Sequence, residues 1–126
     1  LSEGRLEMYY GRDEALICGL ALGARGAIGS TFNYAGRMFR RVIEAFDAGL
    51  LEQARREQAA TWRFMRFIIG PRGGQPVNKV VNNLAAVDCG PLRPLSPVDV
   101  EELRLALDAA GFFDAIAAAP AVAAAR

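Results

Sequence analysis

Leu6-Glu7-Met8-Tyr9-Tyr10-Gly11-Arg12-Asp13-Glu14 and, after a short apolar helix pattern, Gly26-Ala27-Ile28-Gly29-Ser30-Thr31-Phe32-Asn33 decide the fold. In the first stretch Leu6, Met8 and Tyr10 alternate with Glu7 and Tyr9 up to Gly11, the period of a strand. Asp13 then has the side chain of an N-cap for a helix over Glu14 to Leu22, in which Ala15, Leu16, Cys18, Gly19, Leu20 and Leu22 give an almost continuous apolar surface. Gly23 and Gly26 end that helix, and Ser30 or Thr31 can cap the next. Strand-like runs that each end in a glycine followed by helix-opening polar residues are how β/α units present groups at the carboxyl ends of their strands.

The paired signature Gly11-Arg12-Asp13-Glu14 and Gly26-Ala27-Ile28-Gly29-Ser30-Thr31-Phe32-Asn33, with Gly90-Pro91-Leu92-Arg93-Pro94-Leu95 later on, resembles the N-acetylneuraminate (sialic acid) lyases. These are pyruvate-dependent class I aldolases of the dihydrodipicolinate synthase superfamily. The resemblance runs from Leu6 to about Phe113 and implies an α/β fold: the carboxyl-terminal portion of a (β/α)8 TIM barrel followed by carboxyl-terminal helices. Residues 1–49 would be barrel units seven and eight, with Ala27-Ile28-Gly29 as strand eight. Residues 50–114 would be the carboxyl-terminal helices and 115–126 an alanine-rich tail. A whole barrel of this kind needs roughly 250 residues, so the 126 present are expected to be part of one and to fold poorly alone.

The resemblance also implies an activity: cleavage of N-acetylneuraminate to pyruvate and N-acetylmannosamine through a lysine imine. The family carries that lysine on its sixth strand, so it is expected upstream of Leu1, with the proton-shuttling tyrosine and the loop that binds the pyruvate carboxylate. No catalytic residue is then expected within the chain, and no cofactor. What the segment would supply is substrate binding. By resemblance, the Gly11 backbone and the side chains of Asp13, Glu14 and Ser30 hydrogen-bond the hydroxyl-rich tail of the sugar acid. Carboxylates accept from hydroxyls, and a glycine at a strand end lets a ligand approach the backbone. The residues alone also allow a plainer reading, with Asp13 as an N-cap, Glu14 as a first-turn acid and Ser30 as the next cap. Glu14 and the Gly-Ser-Thr-Phe-Asn run fit the sialic acid lyase branch better than dihydrodipicolinate synthases. The resemblance implies a homotetramer for the whole enzyme, and with no signal peptide visible the chain is expected to be cytoplasmic.

Composition narrows the rest. Fifteen basic against fourteen acidic residues give a net charge of +1, which implies neither nucleic acid nor an anionic membrane as partner. No apolar run reaches the roughly 20 residues of a spanning helix. The chain has no histidine, which excludes a Ser-His-Asp triad within it, and two distant cysteines, Cys18 and Cys89, make no metal cage. Both cysteines are expected as reduced buried thiols. No Gly-x-Gly-x-x-Gly or P-loop is present, so no nucleotide is implied. Lys79, the only lysine, falls in a helix opening rather than at a strand end and is expected to be an ordinary packing or solvated residue.

Beyond Ser30 the pattern is helical. Phe32, Ala35, Phe39, Val42, Ile43 and Phe46 recur at helical spacing up to Gly49, with Arg37, Arg40, Arg41, Glu44 and Asp47 elsewhere around the helix. A helix over Leu51 to Ile69 places Ala54, Thr61, Met65 and Ile68 on one side. Pro76 opens another to about Asp88, and a last one runs from Pro97 or Asp99 through Ala110. Arg63, Arg66 and Arg72 interleave with Trp62, Phe64 and Phe67, read as helix core beside a solvated or inter-subunit face rather than a base-stacking surface. Two rival functions stand beside the first: another 2-keto-3-deoxy sugar acid aldolase or dihydrodipicolinate synthase-like enzyme, and a non-catalytic helical interaction module.

Overall fold

A computed structural model describes residues 5–69, 74–85 and 97–118. Two short strands, β1 (Tyr9–Tyr10) and β2 (Gly26–Ala27), pair in parallel, Tyr9 opposite Gly26 and Tyr10 opposite Ala27. Arg25 N–H to Met8 O and Ile28 N–H to Tyr10 O, each 3.0 Å, continue the pairing on both sides. A single 3-10 turn (Asp13–Ala15) and α1 (Leu16–Ala21) cross from one strand to the other. The strands are shorter than the runs Leu6 to Tyr10 and Ala27 to Gly29 in the sequence, because among the described residues each finds a partner only in the other. Leu6 (78% exposed) and Ile28 (72%) therefore lie open on either side of the pairing.

Leu16, Gly19 and Leu20 form the buried stripe of α1, at the i, i+3, i+4 spacing of one helix face. Gly19 has no side chain for a packing reason: a Cβ there would sit 2.2 Å from Cγ of Tyr10, so the strand's aromatic ring lies directly on the helix backbone. The stripe is narrower than the apolar composition of the helix implies. Leu22 is exposed and so is Cys18, which corrects the expectation of a covered helix and a buried thiol at that position. Both lie off the line that Leu16 and Leu20 define. Cys89 falls outside the described residues.

Helices α2 (Phe32–Asp47) and α3 (Leu51–Ile69) are joined at Gly49, whose φ of 72° is the left-handed turn that glycine adopts without strain. The buried face of α2 is Tyr34, Ala35, Met38, Phe39, Val42 and Ala45, with Phe32, Ile43 and Phe46 partly buried beside it. From α3 come Ala54, Thr61, Phe64, Met65 and Ile68. Arg41, expected among the outer charges, is buried instead. Its Nε donates to Glu57 Oε2 at 2.9 Å and its Nη1 to Ala115 O at 3.5 Å, so the guanidinium ties α2 to α3 and to the helical turn that holds Ala115.

The helix α4 (Gln75–Leu84) starts from Gly74 (φ 97°) with Pro76 in its first turn and ends at Leu84, before residues 86–90, which lie outside the description. Then come α5 (Pro97–Ala109), a left-handed Gly111 and a sixth helix α6 (Phe112–Ala117). Phe112 is the reason for that extra turn. It is fully buried and meets Phe64 at 5.2 Å and Tyr34 at 6.0 Å between ring centres, which anchors α6 against α2 and α3.

Candidate functional site

The functional geometry begins with Asp13. Its carboxylate does not cap its own helix: the N-cap position is Arg12, and no side chain caps there. Asp13 reaches across to the second β/α unit, where Oδ2 accepts the backbone N–H of Thr31 at 3.3 Å and also the Thr31 hydroxyl. Thr31 holds the N-cap position of α2, yet its side chain is committed to Asp13, so neither it nor Ser30 performs the side-chain capping that their residue types allow. Gly29 makes the crossing possible. A Cβ on Gly29 would lie 1.8 Å from Asp13 Oδ1, in the space that the carboxylate fills. Asp13 is only 6% exposed, and its Oδ1 has no hydrogen-bond partner among the described residues.

Glu14 stands beside it, half-buried, with Oε1 accepting from Arg12 Nε at 3.1 Å and from Arg12 Nη2 at 2.9 Å. Burial pushes the Glu14 carboxyl upward, but its own backbone N–H and the Arg12 guanidinium outweigh that, and the group titrates below the ordinary glutamate value. Glu14 is thus held as the anion.

Helix α3 supports this turn from beneath. The Gln58 amide donates to Asp13 O at 3.3 Å while its Oε1 accepts from Ile17 N–H at 3.1 Å, and Trp62 Nε1 donates to Glu14 O at 3.0 Å. Backbone groups that the irregular start of α1 leaves unpaired are satisfied in this way by side chains. Trp62 is half-exposed and Phe64 buried; Arg66 stacks on its neighbour Phe67 at 4.8 Å, and Arg72 lies outside the described residues.

Above these groups opens a cleft of about 360 Å³. Gly11, Asp13, Glu14, Gly29, Ser30 and Thr31 form its strand-end side, so all four candidate residues, Gly11, Asp13, Glu14 and Ser30, line one space. Met65, Ile68 and Ile69 of α3 line it as well, with Gly74 and Asn78 at the start of α4. Asn78 was not singled out in the sequence. It is buried, and its Oδ1 accepts the Tyr34 hydroxyl at 2.8 Å. The available signal was Asn78 and Asn82 riding with Val77 and Val81 on one helical face, polar groups on a stripe otherwise apolar; Asn82 Nδ2 donates to Asn78 O at 2.9 Å. Tyr34, buried and facing the charge of Asp13, is pushed well above the ordinary tyrosine value. Lys79 is partly buried on α4 and is not part of the cleft lining.

Among the described residues no cluster of three or more His, Cys, Asp or Glu side chains is placed to hold a metal, and no described helix is long and apolar enough to cross a membrane. The arrangement suits a polyhydroxylated ligand arm: two carboxylates and a hydroxyl on one side, an apolar wall on the other.

Known proteins resemble this chain over two thirds or more of its length. Relatives include the N-acetylneuraminate lyase of Xenopus tropicalis, 38% identical over 85 residues, which are 67% of this chain and 28% of that protein. The N-acetylneuraminate lyase of Rhizobium meliloti (strain 1021) is 36% identical over 97 residues, 76% of this chain and 32% of that one. Among solved structures, Proteus mirabilis N-acetylneuraminate lyase superposes with a TM-score of 0.77 at 31% identity, covering 89% of this chain and 39% of that one. The sialic acid aldolase of Aliivibrio salmonicida gives 0.76 at 32%, over 87% and 38%. The chain thus spans about a third of the length of these relatives, and its two parallel strands and flanking helices are a segment of their (β/α)8 barrel. Residues 2–110 match the Dihydrodipicolinate synthetase family, and the chain belongs to that family.

Proposed function

We propose that this chain is the sugar-recognition part of a class I aldolase that cleaves N-acetylneuraminate to pyruvate and N-acetylmannosamine. On this reading residues 1–49 are barrel units seven and eight, and the imine-forming lysine lies on a part of the barrel outside these residues. Lys79, away from the cleft, has no role in the chemistry.

One observation carries the reading: Asp13, whose buried Oδ1 has no protein partner among the described residues, lines the same cleft as Glu14, Ser30 and Gly11. A buried carboxylate oxygen without a donor costs free energy, and a hydroxyl of the substrate tail supplies that donor. Asp13 Oδ2 and Glu14 Oε1 are already engaged by Thr31 and Arg12, so the second oxygen of each carboxylate is the one offered to the ligand. Because those partners fix both carboxylates, little side-chain freedom remains to be lost on binding. The names of the relatives point to the same substrate.

The test is pyruvate release from N-acetylneuraminate by the full gene product, wild type against Glu14→Gln and Ser30→Ala. Each variant loses one substrate hydrogen bond, about 1–2 kcal/mol, and KM should rise roughly five- to thirty-fold. Absence of cleavage by the wild-type protein would refute the reading.

A further inference from the structure

The cleft has a feature that hydroxyl recognition does not use. Asn78 is 7% exposed, and its carboxamide is oriented from behind: the buried Tyr34 hydroxyl donates to Oδ1 at 2.8 Å. The Gly74 carbonyl can only accept, so the amide end facing it is the nitrogen and the end facing Tyr34 is the oxygen. Nδ2 reaches Gly74 O at 3.4 Å, a long bond that uses one of its two protons. Met65 and Ile68, 3% and 4% exposed, line the same cleft.

We propose that Asn78, held by Tyr34, is the specificity residue for the N-acyl substituent of the sugar acid. The inference rests on the aldolase reading above. An acetamido group differs from the hydroxyls around it in two ways: its carbonyl needs a donor, and its methyl needs apolar surface. Asp13 and Glu14 are acceptors and cannot meet that carbonyl. The Thr31 hydroxyl is committed to Asp13, and Ser30 stands with the carboxylates at the strand ends. Asn78 brings an amide donor to the cleft that Met65 and Ile68 also line, so donor and apolar surface for the carbonyl and the methyl come from the same helical side of it. Tyr34 does not line the cleft and is a positioning residue.

The experiment measures kcat/KM of the full gene product for N-acetylneuraminate and for the same sugar acid carrying a hydroxyl in place of the acetamido group. Asn78→Asp keeps an acceptor for Tyr34 and removes the donor. The preference for the acylated substrate should fall about tenfold, the value of one such hydrogen bond. Tyr34→Phe should lower it less, and through KM rather than kcat. As a measurement that needs no variant, saturation-transfer NMR with N-acetylmannosamine on the wild-type protein should place the strongest saturation on the acetyl methyl. An unchanged preference in Asn78→Asp, or saturation strongest on the ring protons, would overturn the inference and leave the aldolase reading intact. Failure of the wild-type protein to cleave either sugar acid would remove both.

Discussion

Asp13 and Thr31 lie 18 residues apart and are joined twice, the Asp13 carboxylate accepting both the backbone N–H and the hydroxyl of Thr31. The bond pair ties the turn after one strand to the turn after the other and leaves Asp13 Oδ1 against Gly29. Replacing Thr31 by valine removes the hydroxyl and leaves a buried carboxylate short of a donor, which should cost about 1–3 kcal/mol in urea denaturation. Thr31→Ser keeps the hydroxyl and should stay within about 1 kcal/mol of wild type.

Gly29→Ala tests the same closure from the other side. The new Cβ would occupy the place of Asp13 Oδ1, so the carboxylate must move and the Thr31 bonds must break. The loss should disappear in an Asp13→Ala background, where nothing occupies that space. A double-mutant cycle measured by thermal unfolding should give a coupling of about 1–3 kcal/mol between positions 13 and 29.

Arg41 and Glu57 form an ion pair in which the arginine side chain is 9% exposed. Truncating Glu57 to alanine strands that guanidinium and should destabilise the protein by about 3 kcal/mol. By contrast, the exposed pair of Arg40 with Glu44 should contribute no more than about 0.5 kcal/mol, so Arg40→Ala should be nearly silent. Equal losses for the two would show that burial does not separate them.

Tyr34 gives an alkaline signature. Burial and the neighbouring Asp13 charge raise its phenol in the folded state, so above pH about 10 the unfolded chain ionises while the folded one does not. Stability from this group is complete below the unfolded value and declines as pH rises through and beyond it. Thermal midpoints measured from pH 9 to 11 should fall more steeply in wild type than in Tyr34→Phe.

How far the sequence led can be judged at particular residues. The two strand-end signatures were legible because glycine followed by an acid or a hydroxyl is unusual chemistry at fixed spacing, and Gly11, Asp13, Glu14 and Ser30 do meet in one cleft. The partner of Asp13 was not legible. An aspartate before a helix looks the same whether it caps that helix or crosses to Thr31, and only the packing of Gly29 decides between them. Arg41 was misread because charge on an amphipathic helix normally faces water, and its burial depends on Glu57 and Ala115 arriving from elsewhere. Trp62 was read with the helix core and Gln58 carried no reading at all; their work is to hold the carbonyls of Glu14 and Asp13. Such long-range side-chain to backbone bonds leave no periodic trace in a sequence.

The most direct measurement pairs two readouts on the full gene product and its Glu14→Gln variant: borohydride trapping of a pyruvate imine, read by intact mass, and pyruvate release from N-acetylneuraminate. The account predicts an adduct of equal yield in both proteins, with cleavage impaired only in the variant through a raised KM, because Glu14 meets the sugar tail and not the pyruvate. An adduct on Lys79, or trapping and cleavage lost together in the variant, would contradict it.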